Sequence, residues 1–190
     1  MPKKLILSHK FFKTPIGLAL LIGIISGYGL CENLQPRWHQ SENELSELNV
    51  CFTPGQNCEL LITKALDKAK NKVLVQAYAF TSKPIADALI KCHQRGVTVK
   101  ILYETQQSSK HSQISSLERS GIELVADKIK GVVHNKVIII DEEYVITGSF
   151  NFTYAAQHMN AENVILIDNS NITKYYIDNW HSRYAKAKSL

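Results

Sequence analysis

The sequence predicts an α/β domain in which a mixed β-sheet is flanked by helices on both faces. Helical and strand patterns alternate from residue 50 onwards, an order that is typical of sheets covered by helices. The segment VLVQAYAF, residues 73–80, is almost continuously apolar, as expected for a strand that is buried on both faces. Two later strand patterns are separated only by residues 141–143, which indicates a hairpin and hence a sheet that is not entirely parallel.

The individual elements follow from hydrophobic spacing and from helix caps. Apolar residues three and four positions apart predict helices, and alternating or continuous apolar runs predict strands. In the second helix, Ser82 can cap the first turn, Pro84 suits that turn and Gly96 suits the end. The predicted elements are, in order, a helix at 57–70, a strand at 73–80, the helix that begins after Ser82, a strand at 97–103, a helix at 112–120, strands at 122–126, up to 140 and at 144–149, a short helix at 154–159, a strand at 163–167 and a helix at 171–187.

The first 30 residues are typical of a targeting segment. Lysines precede a fifteen-residue apolar run at 16–30, which matches the n-region and h-region of a secretory signal. Gly27 and Gly29 would allow cleavage after Gly29. The run is short for a membrane span, which needs about 20 residues, so an uncleaved membrane anchor is the alternative. We therefore expect an exported protein, periplasmic or secreted, with membrane association through this segment as the second interpretation.

The folded domain is expected at residues 50–190, after a polar linker or extension at 31–49. A lipoprotein attached through Cys31 is disfavoured, because Leu30 stands where a small residue is expected. The positive charge lies mainly before this domain. The chain has 22 basic and 17 acidic residues, and the first 30 residues hold four lysines and no acid, which leaves 18 basic residues against 17 acidic ones. Overall basicity is therefore weak evidence for a nucleic-acid partner.

Cys51 and Cys58 bracket the turn-forming stretch FTPGQN. In an oxidising compartment a disulfide closing this loop is expected, and two small buried thiols are the alternative. A zinc site that adds Cys92 and His93 is disfavoured, because these neighbours on a predicted helix point to different sides. Cys92 belongs to the apolar face of that helix and is expected in the core.

Polar residues interrupt the apolar hairpin at residues 131–153, GVVHNKVIIIDEEYVITGSFNFT. Side chains two positions apart in a strand point to the same side, which pairs His134 with Lys136 and Ser149 with Asn151. The hairpin therefore predicts a cluster of imidazole, ammonium, hydroxyl and carboxamide at one edge of the sheet.

This set of groups suits attack on a phosphodiester without a metal ion. An imidazole can act as a nucleophile or as an acid and base, and ammonium and amide donors can hold phosphate oxygens. The sequence offers no cluster of carboxylates for magnesium or calcium, so we expect no metal and no cofactor. The alternative is a buried histidine with a lysine that reaches to solvent.

The segment HNKVIIIDEEYVITGSFN resembles the signature of the phospholipase D superfamily, H-x-K-x(4)-D-x(6)-G-S followed by an asparagine. The resemblance extends over most of residues 50–187. It is closest to the small, single-motif bacterial endonucleases, the Nuc-like branch, and implies that branch's α-β-α sandwich. Gly148 completes the signature and permits close backbone approach.

The resemblance implies a mechanism and a role for each site residue. In this superfamily one histidine attacks phosphorus to form a phosphohistidine, and a histidine from a second motif protonates the leaving oxygen. Transferred to this sequence, the roles are His134 as nucleophile, Lys136 and Asn151 as ligands of phosphate oxygens, Ser149 as a hydrogen-bonding group within the site, Glu162 as the acid that orients the histidine, and Asp141 as a residue that holds the motif's backbone or a neighbouring side chain. For Asp141 the alternative is a plain aspartate of the hairpin turn. Because the chain has one motif, we expect a homodimer with one shared active site on a two-fold axis.

The favoured substrate is nucleic acid, with DNA preferred and RNA as a further possibility. Four basic residues could track a phosphate backbone, although a scatter of solvated side chains explains them equally well; these are Lys110, His111, Lys128 and Lys130. Two alternatives stay open: a phospholipase D that acts on membrane phospholipids, and a non-catalytic dimer that binds nucleic acid.

Overall fold

The computed structural model describes residues 48–107 and 111–189. The predicted targeting segment, all but the last two residues of the linker, Cys31 and Lys110 lie outside these ranges. Within them, no helix is both long enough and apolar enough to cross a membrane.

The described chain alternates between strands and helices. Its elements are β1 (Leu48–Thr53), α1 (Cys58–Asp67), β2 (Lys72–Ala77), α2 (Lys83–Gln94), β3 (Thr98–Tyr103), a short 3₁₀ turn (Thr105–Gln107), α3 (Ile114–Arg119), β4 (Glu123–Ala126), β5 (Lys136–Ile140), β6 (Tyr144–Gly148), α4 (Tyr154–His158), β7 (Glu162–Asp168) and α5 (Ser170–Lys188).

The strands form one mixed sheet of seven strands in the order β1-β7-β6-β5-β2-β3-β4. Strands β2, β3 and β4 are parallel, and the four strands on the other side of β2 pair antiparallel. The β5–β6 hairpin turns through Asp141 and Glu142, which both adopt positive φ. The predicted mixed sheet is confirmed.

Both faces of the sheet are covered, because alternate residues of the central strands enter two separate cores. One core contains Val73 and Ile138 together with side chains of α1 and α2. The other contains Leu74 and Ile139 with Trp180 of α5, whose indole N–H donates to the Val75 carbonyl at 3.0 Å. This arrangement confirms the prediction of helices on both faces.

The structure differs from the sequence prediction most clearly at β1 and at the end of β2. Strand β1, which was not predicted, begins at Leu48 and pairs along β7 from Leu48↔Ile167 to Thr53↔Glu162. The predicted strand at 73–80 ends at Ala77, and beyond it only Phe80 forms an isolated bridge, to Phe152. Whether an edge segment forms a strand depends largely on the strand beside it. The hydrophobic pattern of the short segment 48–53 was too weak by itself to predict one.

Cys51 and Cys58 form a disulfide that ties β1 to the start of α1. The alternative zinc site therefore lacks two of its thiolates. Cys92 is buried in the core, as expected, and its thiol donates to the Leu66 carbonyl at 3.1 Å. Burial raises the pKa of this thiol, which keeps it protonated.

Candidate active site

His134 lies immediately before β5, and its side chain is exposed. Lys136, the first residue of β5, is 6% exposed, and its Nζ donates to the His134 carbonyl oxygen at 2.7 Å. The sequence predicted both residues within one strand. In the structure the strand begins only at Lys136, so His134 lies just outside it. The hydrogen bond from Lys136 holds the backbone of His134.

Tyr78 lies against both of these residues. Its ring centroid is 4.4 Å from that of His134 and 4.9 Å from Nζ of Lys136, within the range of a cation–π contact. The antiparallel pairing of Ala77 with Lys136 explains the contact, because it places Tyr78, which follows β2, at the same end of the sheet as the residues that precede β5. Sequence reasoning missed Tyr78, since only the strand register reveals its position.

Few groups of the described chain compensate the positive charge of Lys136. Burial lowers the pKa of its ammonium, and the negative charge of Glu162 opposes this shift. Lys136 forms no ion pair within the described residues. A buried cation of this kind is well suited to meet the oxygens of a phosphate.

Glu162 and Ser149 lie at the same end of the sheet, where Glu162 begins β7 and Ser149 directly follows the neighbouring strand β6. The Ser149 hydroxyl donates to one Glu162 oxygen at 2.5 Å and accepts from the Asn163 backbone N–H at 3.0 Å. Asn160 donates its amide N–H to the other Glu162 oxygen at 2.9 Å. The carboxylate is therefore fixed on both oxygens by its own neighbourhood.

Gly148 makes this approach of β6 and β7 possible. A Cβ at this position would lie 2.2 Å from the Asn163 carbonyl oxygen, and its φ is +149°. No other residue type fits such a gap without moving a strand. The glycine of the motif thus sets the distance between Ser149 and the start of β7.

Asn151 carries a polar atom without a partner. Its side-chain oxygen is buried and forms no hydrogen bond within the described part of the chain. Such a group costs about 1–3 kcal/mol, and rotation of the carboxamide can present either oxygen or nitrogen to a ligand. An amide oxygen without a partner in the described chain, two residues after Ser149, fits the predicted role in binding substrate.

Asp141 is not brought together with these residues. It follows the far end of β5, about 16 Å along the strand from Lys136. Its carboxylate accepts the backbone N–H groups of Lys70, Asn71 and Lys72 at 2.8, 2.7 and 2.9 Å. Burial raises its pKa, but these three hydrogen bonds outweigh burial and hold the pKa below its usual range. The resemblance implied that Asp141 holds the motif's own backbone or a neighbouring side chain. The structure corrects this, because the carboxylate holds the backbone between α1 and β2, away from the residues grouped with it as catalytic.

The basic residues proposed to track a phosphate backbone lie in two places. Lys128 and Lys130 are exposed on the segment that leads into His134. His111 is exposed in the turn before α3; that turn meets the site end of the sheet, because the Gln113 N–H donates to the Phe80 carbonyl at 2.9 Å.

A mixed sheet that gathers His134, Lys136, Ser149 and Glu162 at one end defines a phosphodiesterase of the phospholipase D superfamily. A family model described as "Cardiolipin synthase, PLD-like domain" matches residues 62–183. The chain belongs to this family.

Among curated relatives, similarity extends to bacterial and mitochondrial enzymes. The chain is 46% identical over 150 residues to "Phospholipase D" of Rickettsia typhi, covering 77% of this chain and 74% of that protein. It is 31% identical over 137 residues to "Mitochondrial cardiolipin hydrolase" of Homo sapiens, covering 71% of this chain and 54% of that protein.

Solved structures give the same assignment. Nuc from Salmonella typhimurium, a phospholipase D family member, is 34% identical and superposes with a TM-score of 0.69 over 73% of this chain and 93% of that one. NucT from Helicobacter pylori is 22% identical, with a TM-score of 0.67 over 73% and 95% of the two chains, and supports the fold. The predicted membership of the Nuc-like branch is confirmed.

Proposed function

We propose that this protein is a metal-independent endonuclease that hydrolyses DNA through a phosphohistidine at His134. The observation that carries the proposal is the exposed imidazole of His134 beside the buried ammonium of Lys136, which has no ion-pair partner among the described residues. The imidazole is open to an incoming phosphate, and the ammonium is placed to neutralise the oxygens on which negative charge develops.

The proposed reaction has two steps. A nitrogen of His134 attacks phosphorus, an N–P bond forms, and the P–O bond to the leaving group breaks. The leaving oxygen takes its proton from a second imidazole, which then accepts a proton from water as that water attacks phosphorus and releases His134. Glu162 is assigned to orient an imidazole through its other ring nitrogen.

The second imidazole is proposed to be His134 of another copy of the chain. The sequence holds one copy of the motif, so a two-fold axis through the site would supply both histidines from identical residues. The substrate-binding amide of Asn151 would likewise be present twice. A homodimer is therefore part of the proposed function.

Export to an oxidising compartment is also part of the proposal. The Cys51–Cys58 disulfide supports it, because such bridges persist mainly outside the reducing cytosol. The apolar segment at 16–30 would direct this export.

DNA is the first candidate substrate. The similarity to Nuc extends over nearly the whole of that chain, and Lys128 and Lys130 are exposed on the segment that leads into His134, from which they would meet neighbouring phosphates. Phospholipid is the second candidate. The same segment exposes Ile129 and Val132 by 48% and 47%, and the Rickettsia relative is named for lipid hydrolysis.

Cleavage assays on the full chain separate these candidates. Plasmid DNA and vesicles of anionic phospholipid are each incubated with the protein in EDTA, beside a His134→Ala variant. We expect nicking of plasmid by the wild type and none by the variant. Turnover of lipid alone would favour the phospholipase, and plasmid cleavage that survives in His134→Ala would contradict the phosphohistidine mechanism.

A further inference from the structure

Glu104 is a buried carboxylate that the proposed chemistry does not use. It directly follows β3 and is 5% exposed. One of its oxygens accepts the Gln106 backbone N–H at 2.8 Å, and the other accepts the Val133 backbone N–H at 2.7 Å. Val133 is the residue before His134, so this carboxylate reaches across from a neighbouring part of the sheet to the segment that carries the nucleophile.

Burial of a carboxylate is unfavourable unless hydrogen bonds or a cation compensate it. Asp127 is similarly buried, and there the Arg183 guanidinium provides two bonds at 2.5 and 2.7 Å. Glu104 forms no ion pair with any residue that the structure describes. Its charge is balanced instead by backbone N–H groups, which makes it a fastening point for the backbone of Val133.

The backbone on both sides of the nucleophile's Cα is therefore held by charged side chains. Glu104 binds the N–H of Val133, and Lys136 binds the carbonyl oxygen of His134. The segment before them, residues 128–132, is exposed and lies outside any helix or strand. These two bonds hold the backbone from which the imidazole leaves, while the Tyr78 ring lies against the imidazole itself.

We propose that Glu104 is a positioning residue that sets the attack geometry of His134 through the Val133 N–H. The inference rests on the proposed function, since it assigns His134 as the nucleophile. Misplacement of a reacting group by about 1 Å can cost on the order of 100-fold in rate. Loss of Glu104 should therefore lower the rate of the chemical step while binding of the substrate, which other residues hold, changes little.

Two variants of the full chain test this role with bis(p-nitrophenyl) phosphate, a phosphodiester that presupposes neither DNA nor lipid. Glu104→Gln keeps the shape but turns one acceptor into an NH₂ donor, which cannot accept one of the two N–H groups. Glu104→Ala removes both acceptors. We expect kcat to fall roughly 10- to 100-fold in Glu104→Gln, with KM within about threefold of the wild type, and further in Glu104→Ala.

The matched control is Asp127→Asn, which weakens the contact of an equally buried carboxylate with Arg183, at the start of the same loop but without a bond to the Val133 N–H. It should lower Tm but leave kcat unchanged. A kcat loss in Asp127→Asn equal to that in Glu104→Gln would show a general effect of destabilisation and overturn the proposal. An unchanged kcat in Glu104→Gln would do the same.

Hydrogen–deuterium exchange supplies a readout that needs no activity and works in whichever variant folds. The Val133 amide should exchange faster in Glu104→Gln than in the wild type, while the amides of β2 stay protected. If the wild type cleaves no phosphodiester, the proposed function fails, and the exchange result still decides whether Glu104 fastens this backbone. If the Val133 amide exchanges equally fast in both proteins, Glu104 does not hold this part of the backbone.

Discussion

The ring of Tyr78 lies 4.4 Å, centroid to centroid, from the imidazole of His134 and is also 4.9 Å from the ammonium of Lys136. One aromatic side chain thus limits the positions of the nucleophile and of the cation beside it. Neither the phospholipase D motif nor its spacing includes this residue, which reaches the site from the neighbouring strand β2.

Replacing Tyr78 by leucine should lower kcat about 10-fold, because a cation–π contact contributes about 0.5–2 kcal/mol and the ring also confines His134. Tyr78→Phe keeps the ring and should stay near the wild-type rate. Steady-state cleavage of bis(p-nitrophenyl) phosphate measures both. Tyr175→Leu, at a side chain that is 77% exposed on α5, is the control. Equal losses in the Phe and Leu variants would assign the effect to the hydroxyl instead.

The pH dependence of cleavage should report the burial of Lys136. Burial lowers the pKa of this ammonium, and the ammonium is the form that binds phosphate oxygens. Activity is therefore lost as pH rises through the lowered pKa, so the alkaline limb of kcat/KM should lie below the usual lysine range. The negative charge of Glu162 raises the same pKa, and Glu162→Gln should move the limb to still lower pH. If the alkaline limb stays at the same pH in Glu162→Gln, the limb does not report the pKa of Lys136.

Asp141 should matter for stability and not for the chemical step. Asp141→Ala removes the acceptor of three backbone N–H groups and should lower the free energy of unfolding by about 1–3 kcal/mol, measured by urea denaturation. Because the pKa of Asp141 is lowered, its contribution is present above the usual aspartate range and is lost as pH falls through the lowered value. The kcat of the folded variant should stay within about twofold of the wild type, since the residue lies some 16 Å from Lys136 along β5. A large loss of kcat in fully folded Asp141→Ala protein would show that Asp141 contributes to the chemical step.

The sequence was sufficient for residues that share one strand or one hairpin. The sequence pattern predicted that Lys136 and the polar residues after β6 lie at the same edge of the sheet, because the alternation of side chains within a strand is a local property. Ser82 was likewise identified as a helix cap, and its hydroxyl accepts the Ile85 N–H at 3.2 Å. Local geometry requires no knowledge of which strand lies beside which.

Contacts between strands that are distant in sequence could not be predicted in this way. Tyr78 meets His134 through the β2–β5 register, and Glu104 meets Val133 from the end of β3. Asp141 is the complementary case: it belongs to the motif in sequence, yet five residues of extended chain carry it to the opposite end of the sheet. For Tyr78 and Glu104 the missing information is the placement of one strand beside another, which no single strand pattern contains.

The shared active site can be tested by mixing two kinds of subunit. Wild-type protein and His134→Ala are refolded together at fixed total concentration, with the fraction of wild type varied. A dimer with one mutant subunit keeps one imidazole, so it can be phosphorylated but lacks the second histidine that protonates the leaving oxygen. Activity should therefore follow the square of the wild-type fraction, about one quarter at an equal mixture. If each chain works alone, activity follows the fraction itself and an equal mixture keeps about half. Protein mixed without refolding is the control, because intact dimers that do not exchange subunits also give the linear result. A linear dependence after refolding, with exchange verified by a mass-tagged subunit, would contradict a two-histidine site shared between subunits.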